Sequence, residues 1–242
     1  MESILAKNQA LLIRGGLAAF AISICAVATV ALTQDSIGDS PDPIADPQFS
    51  HTGIMTTVFW IGESSDAANG YIPNADSAWD GEWQEHYGGI DSPDARNGYL
   101  PADFTPKENP FYVALPYNDF APDGEPKNSA EECARLAVTP DRSHSQCKNI
   151  WVAIRHNDRV AYAQWEDVGP FEEDDTAYVF GKAEPRNTDG LHAGLDVSPA
   201  IRDYLGLTGS DNTDWGFVRA ADVPSGPWKS IITTSRGYTL QD

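Results

Sequence analysis

Gly194-Leu195-Asp196-Val197-Ser198-Pro199-Ala200-Ile201-Arg202-Asp203-Tyr204-Leu205-Gly206-Leu207 sets a strand, a carboxylate and a helix start side by side. Leu195 and Val197 flank Asp196 as a short alternating strand. Ser198 suits a helix N-cap, Pro199 the first helical position and Gly206 the helix end. Upstream, Val160-Ala161-Tyr162-Ala163-Gln164-Trp165-Glu166-Asp167 reads as a strand, closed by a turn at Val168-Gly169-Pro170-Phe171. An acidic loop, 172–193, joins the two pieces. Asp167 and Asp196 therefore both stand at strand ends.

Ile150 to Arg155 is expected to pair with Val160 to Glu166 across His156-Asn157-Asp158-Arg159 as a hairpin. Met55 to Gly62 reads as a first strand, Pro110 to Pro116 as another, and Trp215 to Arg219 and Ser230 to Thr234 as the last ones. Tyr117-Asn118-Asp119-Phe120 is a turn that again presents a carboxylate at a strand end. Seven Trp, nine Tyr and nine Phe beside two Met, with 20 Gly and 17 Pro, point to a loop-rich β protein. The expected fold is all-β, a closed barrel of about six strands over residues 53–242 with one short helix and a long insertion at 63–109. Within that insertion Asn69-Gly70-Tyr71-Ile72-Pro73 returns as Asn97-Gly98-Tyr99-Leu100-Pro101, which reads as two similar turns. Its Trp79, Trp83, His86 and Tyr87 form either a local mini-core or a stacking platform for sugars.

A formal charge of -20, from 36 acidic and 16 basic residues, repels phosphate backbones and anionic membrane surfaces, so nucleic acid is excluded as a partner. Neutral polymers such as glycans are not excluded. Lys7 and Arg14 precede an uncharged run from Gly15 to Leu32. That run is long for a signal-peptide core and long enough to span a bilayer, so residues 1–33 read as a signal peptide or, through 11–32, a membrane anchor. The basic flank puts the N-terminus in the cytoplasm and the rest of the chain outside it, periplasmic or extracellular. Residues 34–52, acidic and Pro-containing, read as a linker. In an exported chain Cys133 and Cys147 are most simply a disulfide, with Cys25 left in the N-terminal segment. No Cys-x-x-Cys spacing accompanies His144, and His86 and His192 have no second ligand at metal spacing, so neither metal nor cofactor is expected.

Glu166-Asp167-Val168-Gly169-Pro170-Phe171, followed by Leu195-Asp196-Val197-Ser198-Pro199-Ala200 and Leu205-Gly206, resembles the signatures of the rare-lipoprotein-A-like double-psi β-barrels. Expansins, family-45 endoglucanases and the membrane-bound lytic transglycosylase A are related barrels. The resemblance covers roughly residues 150 to 235 and implies a six-stranded double-psi barrel acting on a cell-wall polysaccharide, peptidoglycan or β-glucan. It puts Asp196 where those relatives have a general acid, and Asp167 where the rare-lipoprotein-A-like enzymes need an Asp for glycan-strand cleavage. Their accompanying His has no counterpart, since Val113 and Ala114 stand before Leu115-Pro116. At the endoglucanase base position stands Ile61, in Thr57-Val58-Phe59-Trp60-Ile61. Glu63, on the same face as Ile61 if the strand runs on, and Asp119 are the candidate bases.

The implied activity is glycan cleavage, with Thr57, Trp60, Tyr117 and Trp165 as substrate contacts. The alternatives are a non-catalytic, expansin-like carbohydrate-binding module and a structural envelope barrel. Each candidate also has a plain structural reading. Asp196 suits the amides that open the following helix, Asp167 suits a turn, and Trp165 suits a core.

Overall fold

The computed structural model describes residues 48–67, 69–137 and 143–236. The expected N-terminal segment and most of the expected linker lie outside the described residues. In chain order the elements are β1 (His51–Val58), α1 (Trp83–Tyr87), β2 (Arg96–Asn97), β3 (Leu100–Pro101), β4 (Tyr112–Leu115) and α2 (Ala130–Leu136). There follow β5 (Trp151–His156), β6 (Arg159–Val168), α3 (Thr176–Val179), β7 (Leu195–Val197), α4 (Pro199–Leu205) and β8 (Asp211–Val218).

Six of these strands close into a barrel in the order β1-β7-β4-β6-β5-β8. β1 runs parallel to β7 and β4 parallel to β6, while the other four pairings are antiparallel. Closure leaves none of the six barrel strands with a free edge. β2 and β3 form a separate small hairpin.

Two apolar clusters explain why β4 is buried along its whole length. Val113 and Leu115 join Ile154, Trp165, Leu195, Val197 and Trp215 in the main core, whereas Tyr112 and Ala114 meet Phe59, Ile61, Trp83 and Tyr87 in a second one. The 63–109 insertion supplies Trp83 and Tyr87 to that second cluster, so its aromatics form a mini-core. Trp79 instead stands edge-on to Trp165, 5.6 Å away, in the main core.

α4 follows its sequence closely: the Ser198 side chain accepts from the Ile201 amide, Pro199 opens the helix, and Gly206 closes it at φ 72°. Several expectations need correction. Four short α-helices are present among the described residues instead of one; α1, α2 and α3 span four to seven residues, too short to show a helical period. Ser230 to Thr234 is not a strand. There Thr233 donates its amide to Gln164 Oε1 and accepts from the Asn109 amide, so side-chain bonds replace a ladder. β1 begins at His51, before the expected domain start at 53, and ends at Val58 instead of running to Gly62. Cys133, on α2, and Cys147 are joined as a disulfide.

Candidate functional site

The register of four adjacent strands sets the site. Thr57 on β1 pairs with Asp196 on β7, Asp196 pairs with Ala114 on β4, and Ala114 pairs with Asp167 on β6. Directly paired residues share a face, so these four side chains form one lateral row, with the two carboxylates on either side of a methyl group. Neighbouring strands lie about 4.8 Å apart, which puts the Asp167 and Asp196 backbones about 10 Å apart.

A β-bulge makes the row possible. Val113 pairs with Trp165 but Ala114 pairs with Asp167, leaving Glu166 as the extra residue of β6. Trp165 and Asp167, two apart, would share a face on a regular strand; the bulge turns them to opposite faces. Trp165 is accordingly a wholly buried core residue whose indole donates to the Asp167 carbonyl at 2.7 Å, and it does not contact the groove as expected. Glu166 is buried in an ion pair with Lys148.

The row floors a groove of about 390 Å³, walled by Trp60, Glu63, Asn74, Gly169, Phe171, Leu191 and Ser210 among others. Glu63 arrives by a route the strand reading missed. Beyond Val58 the chain turns, Gly62 at φ 80° donates to the Asn74 carbonyl, and the Glu63 amide donates to that of Trp60. Ile61 is thereby sent into the second cluster, its amide on the Tyr112 hydroxyl, while Glu63 enters the groove with Oε2 accepting from Asn74 Nδ2 at 2.7 Å. Gly169 is needed where it stands because its φ is 148°, a backbone conformation that side-chain-bearing residues rarely adopt.

Glu63, Asp167 and Asp196 share a preference for their protons. Burial pushes Asp167 up to about 7, against the pull of the Ala78 amide, which donates to Oδ1 at 2.8 Å. Burial likewise lifts Glu63 to about 7 against its Asn74 bond. Asp196 is pushed by burial to about 6, the Thr57 hydroxyl that donates to Oδ1 holding it back. The negative charge of Asp196 contributes to the lift on both of the others. Asp196 is thus the first of the three to ionise, and the protons stay longest on Glu63 and Asp167. It does not hold the helix start; that is done by Ser198.

Apolar side chains crown the groove. Phe171 is 39 % exposed and Leu191 64 % exposed, and both adopt left-handed backbone conformations, φ 59° and 64°. Such a conformation costs a non-glycine residue about 1 kcal/mol or more. The sequence reading took Phe171 as a turn and signature residue and did not count it, Leu191, Asn74 or Ala114 among the site residues; the φ values that present Phe171 and Leu191 are not visible in composition.

The structure brings Thr57, Trp60, Glu63, Asp167 and Asp196 to one groove. It leaves two expected residues elsewhere. Asp119 is buried, accepting from the Ser145 hydroxyl and the Gln146 amide, so it anchors the chain beside Cys147 and does not face the groove. Tyr117 is buried with its hydroxyl on Ser129 and its ring edge-on to Phe180. Among the described residues no group of three or more His, Cys, Asp or Glu is placed to hold a metal ion. No helix among them is long and apolar enough to cross a membrane. Comparison with known proteins finds no matching family model, no matching curated protein and no matching solved structure.

Proposed function

We propose that this is an exported double-psi β-barrel that cleaves a cell-wall glycan by acid catalysis in the groove above Ala114. One observation carries the reading: three carboxylates of raised proton affinity, Glu63, Asp167 and Asp196, line one groove with exposed apolar side chains around it. Glycosidic cleavage needs a proton for the leaving oxygen and a negative charge beside the positively charged sugar ring that forms. A site that holds protons on two carboxyls while a third is ionised offers both.

The roles follow from the order of ionisation and differ from the first expectation for Asp196. Glu63, on the groove wall, donates the proton. Asp196, the least lifted of the three because the Thr57 hydroxyl restrains it, faces the developing charge. Asp167, more than nine-tenths buried, backs the pair and tightens its own proton as Asp196 ionises. Attack by water would leave a reducing end, and attack by the sugar's own hydroxyl an anhydro end. Export accords with the Cys133–Cys147 disulfide, a bond that persists in oxidising compartments.

The test is incubation of the full chain with peptidoglycan, cellulose and soluble β-glucans, followed by mass spectrometry of the released ends. Product formation that rises as Asp196 ionises near pH 6 and falls as Glu63 ionises near pH 7 supports the reading. Binding without product identifies the non-catalytic carbohydrate-binding barrel instead. Neither binding nor product removes the glycan altogether.

A further inference from the structure

The 63–74 loop is closed without the help of the Asn74 side chain. At its neck the Gly62 amide donates to the Asn74 carbonyl at 2.7 Å and the Asn74 amide to the Glu63 carbonyl at 3.0 Å. Inside it Asn69 accepts from the Asp66 amide and donates to the Ser64 carbonyl, and the Tyr71 amide donates to the Asp66 carbonyl. At its tip Gly70 lies against the Phe171 ring, where a Cβ would come within 2.8 Å. The Asn74 side chain has a different partner: its Nδ2 donates to Glu63 Oε2 at 2.7 Å, on the wall of the groove.

A protonated carboxyl has one oxygen that carries the proton and one that accepts, and the unprotonated oxygen is the better acceptor. An amide N–H on Oε2 therefore leaves the proton to Oε1. The same bond strengthens as Glu63 ionises, because a hydrogen bond to a carboxylate is roughly twice as strong as one to a neutral group. Its effect is thus largest as the proton departs, which is where a contribution to rate has to fall. We infer that Asn74 is a positioning residue for the proposed cleavage, holding Oε2 as the acceptor so that Oε1 delivers the proton to the glycosidic oxygen. The inference rests on reading Glu63 as the acid and adds which oxygen acts and what holds it. In that step the Oε1–H bond breaks and an O–H bond forms on the leaving oxygen, which keeps the electron pair of the broken C–O bond. Water or the sugar's own hydroxyl then takes the anomeric carbon.

Asn74 also governs how tightly the proton is held. Burial lifts Glu63 to about 7, and Asp196 on β7 and Asp66 within the loop add to the lift. Against it act the Asn74 bond, the larger pull, and the Trp60 amide, the smaller. Asp167 on β6 is the remaining acid lining the groove. Without the Asn74 donor Glu63 keeps its proton to higher pH and yields it less readily.

The experiment compares Asn74→Ala with the wild type, on the full chain, with peptidoglycan and soluble β-glucan as substrates. Three quantities are followed: the pH profile of product release, the carbon NMR titration of the Glu63 carboxyl, assigned by its loss in Glu63→Gln, and a thermal melt. The backbone bonds of residue 74 do not involve its side chain, so the loop neck is expected to persist in the variant. The Glu63 titration and the alkaline limb should both move up by about one pH unit, a proton held about tenfold tighter. The plateau kcat should fall about tenfold with KM within about twofold of wild type. Asn74→Asp, isosteric but without the donor, should move the titration higher still, since it adds a like charge. A Glu63 titration that moves down in Asn74→Ala would show that Asn74 accepts the proton from Oε2, and the assignment to Oε1 would be overturned. An unmoved titration with a lower melting temperature makes Asn74 a purely structural residue, and a raised KM at unchanged kcat makes it a substrate contact; either overturns the inference. If the wild type releases no product, the cleavage reading fails, whereas the direction of the Glu63 titration still decides which oxygen carries the proton.

Discussion

Asp167→Asn should make the protein more stable in alkaline solution and leave it unchanged in acid. The carboxyl is 7 % exposed, and burial raises it from its ordinary 3.8 to about 7. A lift of that size corresponds to about 4 kcal/mol of preference for the protonated form. The folded state binds this proton more tightly than the unfolded chain. The favourable contribution is therefore present below about pH 4 and is lost as the pH rises through about 7. At pH 8 the wild-type fold carries the ionised group at full cost. The asparagine keeps the acceptor for the Ala78 amide and carries no charge, although its unpaired N–H groups return about 1–2 kcal/mol of that advantage. The net expectation is a gain of about 2 kcal/mol at pH 8, or about 4–8 °C in melting temperature for a domain of this size, and no gain at about pH 4. Denaturant melts of both proteins at the two pH values measure it. A variant destabilised equally at both would show that Asp167 is a turn-forming anion valued for its bond to Ala78, and the acid reading of the row would fall with it. Loss of activity in the same stabilised variant would place the residue among those that trade stability for function.

Glu63→Gln should lower product release by about 10²–10⁴-fold and abolish the alkaline limb of the pH profile, since the group that ionises near 7 is gone; a surviving limb would move the acid to Asp167. Ala114→Leu fills the gap between the two aspartates. Glycan binding should disappear at a stability cost of about 1–3 kcal/mol from overpacking, read by calorimetry beside a melt. Asp119→Asn should cost a similar amount, loosening the Ser145–Cys147 segment by about 1–3 kcal/mol, but leave glycan affinity unaltered.

What the sequence disclosed was local. The cap, first turn and closing glycine of α4 are set by residues within eight positions of one another, and the structure forms them as read. The paired strands around His156-Asn157-Asp158-Arg159 are equally local, joined by a short turn at Asn157. Glu63 was named for a reason that does not hold, since β1 stops at Val58 and the residue reaches the groove through a turn fixed by Asn74, eleven positions on. Asp119 was grouped with Asp167 and Asp196 because all three end strands; strand ends point to different sides, and only pairing register says which. Ser230 to Thr234 has the composition of a strand but finds side-chain partners at Asn109 and Gln164 instead of a neighbouring ladder.

The bulge at Glu166 shows why the site itself stayed half hidden. Alternation along 160–167 assigns Trp165 and Asp167 to one face and Glu166 to the other. On an unbroken β6 that face would be the barrel interior, with Asp167 among the core residues around Trp165 and Glu166 opposite Ala114. One extra residue inverts the outcome, because side chains repeat every two positions and a shift of one flips the face. The inversion also requires somewhere for the displaced glutamate to go, and Lys148, eighteen residues earlier, supplies the buried counter-charge. Removing that lysine would leave an uncompensated buried carboxylate, a penalty of several kcal/mol. The bulge, and with it the placement of Asp167 in the groove, is therefore held by an ion pair whose members are far apart in sequence. Adjacent acids at Glu166-Asp167 with no base nearby were the visible trace of it: two consecutive carboxylates on a buried strand cannot both face the same medium, and one of them needs a partner from elsewhere in the chain.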